Sequence, residues 1–121
     1  MASILAIDDN DLALETIKII LEENGHTVTT AQSGDIGLEI ISKQSFDLVI
    51  TDLIMPGKEG METLQEIKRD YPGTKVIAVS GGGRSSPDMY LETAKGLGAD
   101  ATLGKPFEAK ELLTTIKNIL K

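Results

Sequence analysis

The sequence predicts a doubly wound α/β fold, a five-stranded parallel sheet with helices on both faces, as one domain of 121 residues. Two observations predict it. Short apolar runs recur along the chain: Ile4-Leu5-Ala6-Ile7, Leu48-Val49-Ile50-Thr51, Val76-Ile77-Ala78-Val79 and Ala101-Thr102-Leu103-Gly104. Runs of this length bounded by polar residues read as strands buried on both faces. Stretches with helical periodicity separate them, so strand and helix alternate as in parallel βαβ units. Each run also ends on polar residues of a different kind: Asp8-Asp9, Asp52, Ser80 and Lys105. Ligands of such sheets bind beyond the carboxyl ends of the strands, so carboxylates, a hydroxyl and an ammonium converge at one edge.

Taken in order, strand 1 covers about residues 3–7 and leads into a helix through Leu12, Ile17, Ile20 and Leu21 that ends near Asn24-Gly25. Gly25 suits a left-handed cap. Strand 2, near 26–31, is polar (His26, Thr27, Thr29, Thr30), as an edge strand is expected to be. A helix with Ile36, Leu38, Ile40 and Ile41 runs to about Lys43, strand 3 lies near 47–51, and a helix from about Lys58 to Asp70 stops at Tyr71-Pro72-Gly73. Strand 4 is 75–79. Ser86-Pro87 reads as an N-cap followed by an N1 proline, opening a helix that ends near Leu97-Gly98. Strand 5 is about 100–103, and the last helix sets Leu112, Leu113, Ile116, Ile119 and Leu120 on one stripe. The polar second strand favours the order 2-1-3-4-5, that of flavodoxin-like (βα)5 sheets, over the dinucleotide-binding order.

Bulk properties narrow the function. A formal net charge of −7 offers no basic face for nucleic acid or for an anionic membrane. The absence of cysteine removes disulfides, thiolate metal sites and cysteine nucleophiles. Met1 to Ile7 holds no basic residue and meets Asp8 too early for a signal peptide. No apolar run approaches the roughly 18 residues of a membrane span. A cytoplasmic protein, monomeric or weakly dimeric, is the expectation.

Each strand-end residue has a bland reading. Acids at a helix N-terminus suit the macrodipole, Asp52 is a turn residue, Ser80-Gly81-Gly82-Gly83 is a flexible turn, and a strand-end lysine faces solvent. Asp8-Asp9-Asn10-Asp11, however, crowds more polar groups into one turn than capping needs, and a cation relieves that repulsion. Mg²⁺ suits it, being hard and held by a few carboxylates. Asp52 can serve as a metal ligand and as the nucleophile that forms an acyl phosphate. Ser80 can donate to a phosphoryl oxygen while Lys105 neutralises the equatorial oxygens. The joint occurrence at four strand ends carries the weight.

The set Asp8-Asp9, Asp52 with Met55-Pro56 and Gly60, Ser80-Gly81, Gly98-Ala99-Asp100 and Lys105-Pro106-Phe107 resembles the receiver domain of two-component response regulators, over essentially the whole chain. The resemblance implies a phosphorelay switch rather than an enzyme, whose only reactions are its own phosphorylation from phosphodonors and its autodephosphorylation. It implies Asp52 as the phosphoacceptor. Asp9, Asp52 and the main-chain carbonyl of Ile54 would be Mg²⁺ ligands, with Asp8 acting through water. Ser80 and Lys105 would contact the phosphoryl oxygens, and Lys105-Pro106 would be a cis peptide. The implied partners are a sensor histidine kinase or histidine phosphotransfer protein and a downstream target. The readout face would be the helix near 87–97 (Met89, Tyr90, Leu91), strand 5 and the last helix. Because the chain ends at Lys121, as the fifth helix finishes, action in trans without an output domain is expected.

Three departures stand out. Thr102 occupies the place of the family's switch aromatic. Ser80 and Lys105 are further apart than is usual, with the extra length expected in Gly81 to Ser86. Ile54 and Gly82, which can orient the hydrolytic water in this family, lack polar side chains, so slow self-dephosphorylation is expected.

Other readings fit less well. Asp9-Asn10-Asp11 resembles the opening of haloacid-dehalogenase-type phosphatases, but Leu12-Ala13 follows and no late acidic cluster exists. An EF-hand loop from Asp9 would need glycine and glutamate where Leu14 and Ile20 stand. Ala99 to Lys105 lacks the Ser/Thr that a P-loop places after its lysine; Pro106 stands there. His26, the only histidine, falls on the edge strand far from the site. A phosphorylation-independent adaptor is opposed by the intact Asp52 and Lys105.

Overall fold

The computed structural model describes residues 2–53, 60–80 and 87–120, the side chains of 87–91 excepted. The elements are β1 (Ser3–Ile7), α1 (Asp11–Glu23), β2 (Thr27–Ala31), α2 (Gly34–Lys43), β3 (Leu48–Asp52), α3 (Gly60–Asp70), β4 (Lys75–Ser80), α4 (Pro87–Gly96), β5 (Ala101–Gly104) and α5 (Ala109–Ile119). The strands form one parallel sheet in the order β2-β1-β3-β4-β5, as the polar second strand implied.

Strand alternation divides the core in two. Ile4, Ala6, Leu48, Ile50, Ile77 and Val79 face Leu14, Ile17 and Leu21 of α1 and Leu112 and Ile116 of α5. Leu5, Ile7, Val49, Val76 and Ala78 face Ile41 of α2, Leu64 and Ile67 of α3 and Ala94 of α4. Both faces of β1, β3 and β4 are covered, which is why their sequences are continuous apolar runs rather than alternating ones. β2 exposes Thr27 and Thr30.

Local signals act where they were read. Gly25 takes φ 88° after α1 and Gly98 takes φ 107° after α4, a conformation glycine adopts without a Cβ penalty. The Asn10 side chain accepts from Ala13 N at 3.1 Å and Ser33 Oγ from Ile36 N at 3.2 Å, capping α1 and α2. Six strand boundaries move by one residue: β2 starts at Thr27, β3 runs from Leu48 to Asp52, β4 ends at Ser80 and β5 runs from Ala101 to Gly104. Asp52 is paired with Val79, and Asp100 serves the turn before β5. The expected starts at Lys58 and Ser86 and the added length at Gly81 to Ser86 lie outside the described residues. His26 sits just before β2 at the opposite end of the sheet from the strand-end residues, where its Nδ1 accepts from Ala2 N at 3.2 Å. Among the described residues no helix is long and apolar enough to cross a membrane.

Candidate functional site

The carboxyl edge of the sheet assembles the site because neighbouring strands end in register. β1 and β3 bring Asp8, Asp9 and Asp52 together: one carboxylate oxygen of each lies within 4.8 Å of the others. Asp8 is buried and anchored on both sides. Its N–H donates to Ala31 O at 3.1 Å, and its Oδ1 accepts from Asn10 N at 2.9 Å. Asp9 is exposed and Asp52 buried, so the cluster has one wet and two dry members. All its side-chain donors are hard oxygens, the set a divalent magnesium ion prefers.

β5 supplies the counter-charge. Lys105 N donates to Ser80 O at 2.9 Å, extending the β4–β5 ladder by one residue. Its Nζ donates to Asp8 Oδ2 at 2.6 Å and to Asp52 Oδ2 at 3.2 Å. Burial alone pushes the Lys105 pKa down, and it is the largest single influence. The hydrogen bond to Asp8, the charges of Asp52 and Asp8 and the bond to Asp52 together outweigh it, so the group titrates above its ordinary value. The Lys105-Pro106 peptide is cis.

Ser80 ends β4, one step beyond the Asp52–Val79 pair and opposite Gly104. It is fully buried, and among the described residues its Oγ has no hydrogen-bond partner. A buried hydroxyl without a partner costs free energy that most folds avoid; here it lies at the edge where the acids and the lysine converge.

Gly60, the first residue of α3, packs onto the end of β3. A Cβ there would stand 2.1 Å from Asp52 O and 2.4 Å from Leu53 Cα, both main-chain atoms, so only glycine lets α3 start this close. Thr102 is half-buried on β5, paired with Ala78. Ile54, Met55-Pro56 and Gly81-Gly82 lie outside the described residues, as do the side chains of Met89, Tyr90 and Leu91.

The structure thus gathers Asp8, Asp9, Asp52, Ser80 and Lys105 as the strand ends implied. It adds a direct Lys105–Asp8 pair, formed across 97 positions of sequence, that no local signal reports. It also gives Gly98-Ala99-Asp100 a purpose the sequence left blank. Asp100 Oδ2 accepts from Val76 N at 2.9 Å and Lys68 Nζ at 3.0 Å, and Lys68 also donates to Thr74 O at 3.1 Å. That knot ties α3, β4 and the start of β5 at the amino edge, away from the carboxylate cluster.

Comparison with known proteins agrees with this geometry. The response regulator receiver domain model matches residues 4–117. A response regulator receiver domain protein from Clostridium thermocellum is similar over 99% of this chain and 94% of its own, at 39% identity and a TM-score of 0.90. The receiver domain of NtrX from Brucella abortus is similar over 97% of each chain, at 30% identity and a TM-score of 0.90. The transcriptional regulatory protein GlrR of Escherichia coli (strain K12) is 34% identical over 120 residues, 99% of this chain. The chain spans from about a quarter to a half of the length of such curated relatives, 26% of GlrR and 50% of the regulator CpxR. With the match running through both cores and every strand end, the chain belongs to the response regulator receiver domains, the phosphoacceptor switches of two-component systems.

Proposed function

We propose that Asp52 is the residue that takes the phosphoryl group, with Mg²⁺ held by Asp9, Asp52 and the main-chain carbonyl of Ile54 and, through water, by Asp8. The observation that carries this is the Lys105 ammonium bonded to Asp8 and Asp52 beside a three-carboxylate cluster. Bound magnesium supplies neutralisation of the charge on the transferring group. The chain's own residues do the rest. Asp52 Oδ attacks phosphorus and the bond to the donor's leaving group breaks. Lys105 stays charged and balances the added oxygens, and Ser80 Oγ, which has no partner among the described residues, donates to one of them. Asp8 holds Lys105 ready on the acceptor's side of the site.

The donor is a histidine kinase or histidine phosphotransfer protein, the output is a partner protein met in trans by α4, β5 and α5, and the setting is the cytoplasm. The chain acts as one receiver domain, a phosphoacceptor with no turnover of a separate substrate. Incubation with acetyl phosphate and Mg²⁺ should add one phosphoryl group per chain, and Asp52→Asn should abolish it. Continuous phosphate release from a substrate, or labelling that survives Asp52→Asn, overturns the assignment. Phosphorylated protein and Asp52→Asn, used as baits, should capture different partners.

A further inference from the structure

An aspartyl phosphate is an activated carboxyl group, and it faces two nucleophiles. Water at phosphorus returns Asp52 unchanged. The main-chain nitrogen of the next residue, Leu53, can instead attack Cγ of Asp52 and close a five-membered imide. In that step the N–Cγ bond forms, the Cγ–O bond to the phosphoryl group breaks, inorganic phosphate departs and the amide proton passes to solvent. The product is one water lighter than the original chain, and its hydrolysis yields aspartate or isoaspartate. The first route resets a switch and the second destroys it.

The surroundings of this one peptide bear on the choice. Leu53 N donates to Val79 O at 2.8 Å, carrying the β3–β4 ladder one residue past the end of β3. Leu53 is 3% exposed and packs in the core beneath α2, α3 and α4. From the other side Gly60 presses so close that a Cβ would meet Asp52 O at 2.1 Å, Leu53 Cα at 2.4 Å and Leu53 C at 2.8 Å. The 52–53 peptide is therefore clamped between β4 and the first residue of α3. To reach Cγ, the nitrogen must leave Val79 O and the peptide must rotate into space α3 occupies.

We propose that this clamp protects the phosphorylated switch from its own backbone, with Val79 O holding the nucleophile away and Gly60 denying the peptide room to turn. Gly60 and Leu53 are then positioning residues, guarding the acceptor without touching the phosphoryl group. The proposal rests on Asp52 as the acceptor, and its test reports on the two separately.

The protein is labelled with acetyl phosphate and Mg²⁺, freed of donor, and divided. One half stays native and the other is unfolded in urea at the same neutral pH until the label is lost. Mass spectrometry of the peptide spanning residue 52 then counts unchanged aspartate, the one-water-lighter ring and isoaspartate. The native half should return aspartate. The unfolded half should show a ring-derived fraction roughly tenfold larger or more, the rate equivalent of the hydrogen bond that must open first. Gly60→Ala, if it folds, should show a rise of the same sign in the native state. Wild-type Leu53 N–H should exchange with solvent far more slowly than exposed amides. Equal ring fractions in both halves, or fast exchange at Leu53 in the native protein, overturns the clamp. A chain that takes no phosphoryl group at residue 52 overturns the acceptor assignment and the clamp with it.

Discussion

Replacing Lys105 with methionine keeps the length of the side chain and removes its charge, which isolates what the ammonium does at the site. It bonds two carboxylates whose side chains are only 4% and 10% exposed, while its own is 27% exposed. Removing one partner of a fully buried pair costs about 3–5 kcal/mol, because the other charge is left uncompensated. Exposed Asp9 shows that water reaches this edge, so the cost falls below that range, to about 2–3 kcal/mol. For a domain of this size the melting temperature should fall by roughly 6–12 °C. Urea titration without divalent ions should show the midpoint falling at an unchanged slope. Mg²⁺ should narrow the gap, because the acid cluster without its lysine binds the cation more tightly and stabilisation at a given metal concentration rises with affinity. The pH dependence follows from the raised Lys105 pKa. A raised folded-state value means the contribution is fully present below the ordinary value of 10.5 and is lost as pH climbs through the higher folded-state one. The gap between wild type and Lys105→Met should therefore be flat from neutral pH upward and close only in strong alkali. A variant as stable as wild type in metal-free buffer at neutral pH would refute the reasoning, because the two buried acids would then need no lysine.

Other outcomes follow from single residues. Ser80→Ala removes a buried hydroxyl with no partner among the described residues, so stability should hold or rise by up to about 1 kcal/mol in urea titration, while the phosphorylated form loses a donor and its steady-state level with acetyl phosphate falls. At the amino edge, Asp100→Ala strips acceptors from Val76 N and Lys68 and should cost about 2–3 kcal/mol, whereas Asp100→Asn keeps an acceptor for Val76 and should cost about 1; neither should change labelling of Asp52 in protein that remains folded. Ile54 and Gly82 carry no polar side chain, so the phosphoryl lifetime of the purified protein should be long. A half-life of seconds, or an unchanged lifetime in Ile54→Asn and Gly82→Glu, contradicts that expectation.

What the sequence makes legible is whatever depends on neighbours along the chain. Leu48 to Thr51 announces a doubly covered strand because burial on both faces favours a nearly unbroken apolar run, and the polar residue that ends the run stands at the edge. The same logic locates Asp8, Ser80 and Lys105. The Thr-rich 27–30 segment reads as an edge because one side of it meets solvent. What stays hidden depends on contacts made in three dimensions. Nothing near Lys105 announces that its ammonium reaches Asp8 as closely as Asp52, since that pair needs β5 and β1 to end at one edge across two intervening strands. The motif includes Gly60 but supplies no reason for a glycine there until the main chain of Asp52 lies 2.1 Å from where its Cβ would be. Complete burial of Ser80 requires the cover of neighbouring elements, which no local pattern contains.

The two lysine–aspartate clusters of this fold show how a site differs from a structural ion pair of the same composition. At the amino edge, Asp100 faces Lys68 at 3.0 Å and Lys75 at 3.9 Å and accepts a main-chain N–H as well. One acid meets two bases, and the Lys68 ammonium has a second acceptor in Thr74 O. At the carboxyl edge the balance reverses. Three acids cluster about one lysine that bonds two of them, and beside them a buried hydroxyl has no partner among the described residues. Excess negative charge is complementary to a cation, and an idle donor beside a charged lysine is complementary to an anion. A folded chain that leaves both kinds of deficit at one edge, while closing the equivalent network at the other, is poised to take a cation and an anionic group together. A metal ion and a phosphoryl group satisfy both deficits at once, which neither a metal nor a free anion does alone.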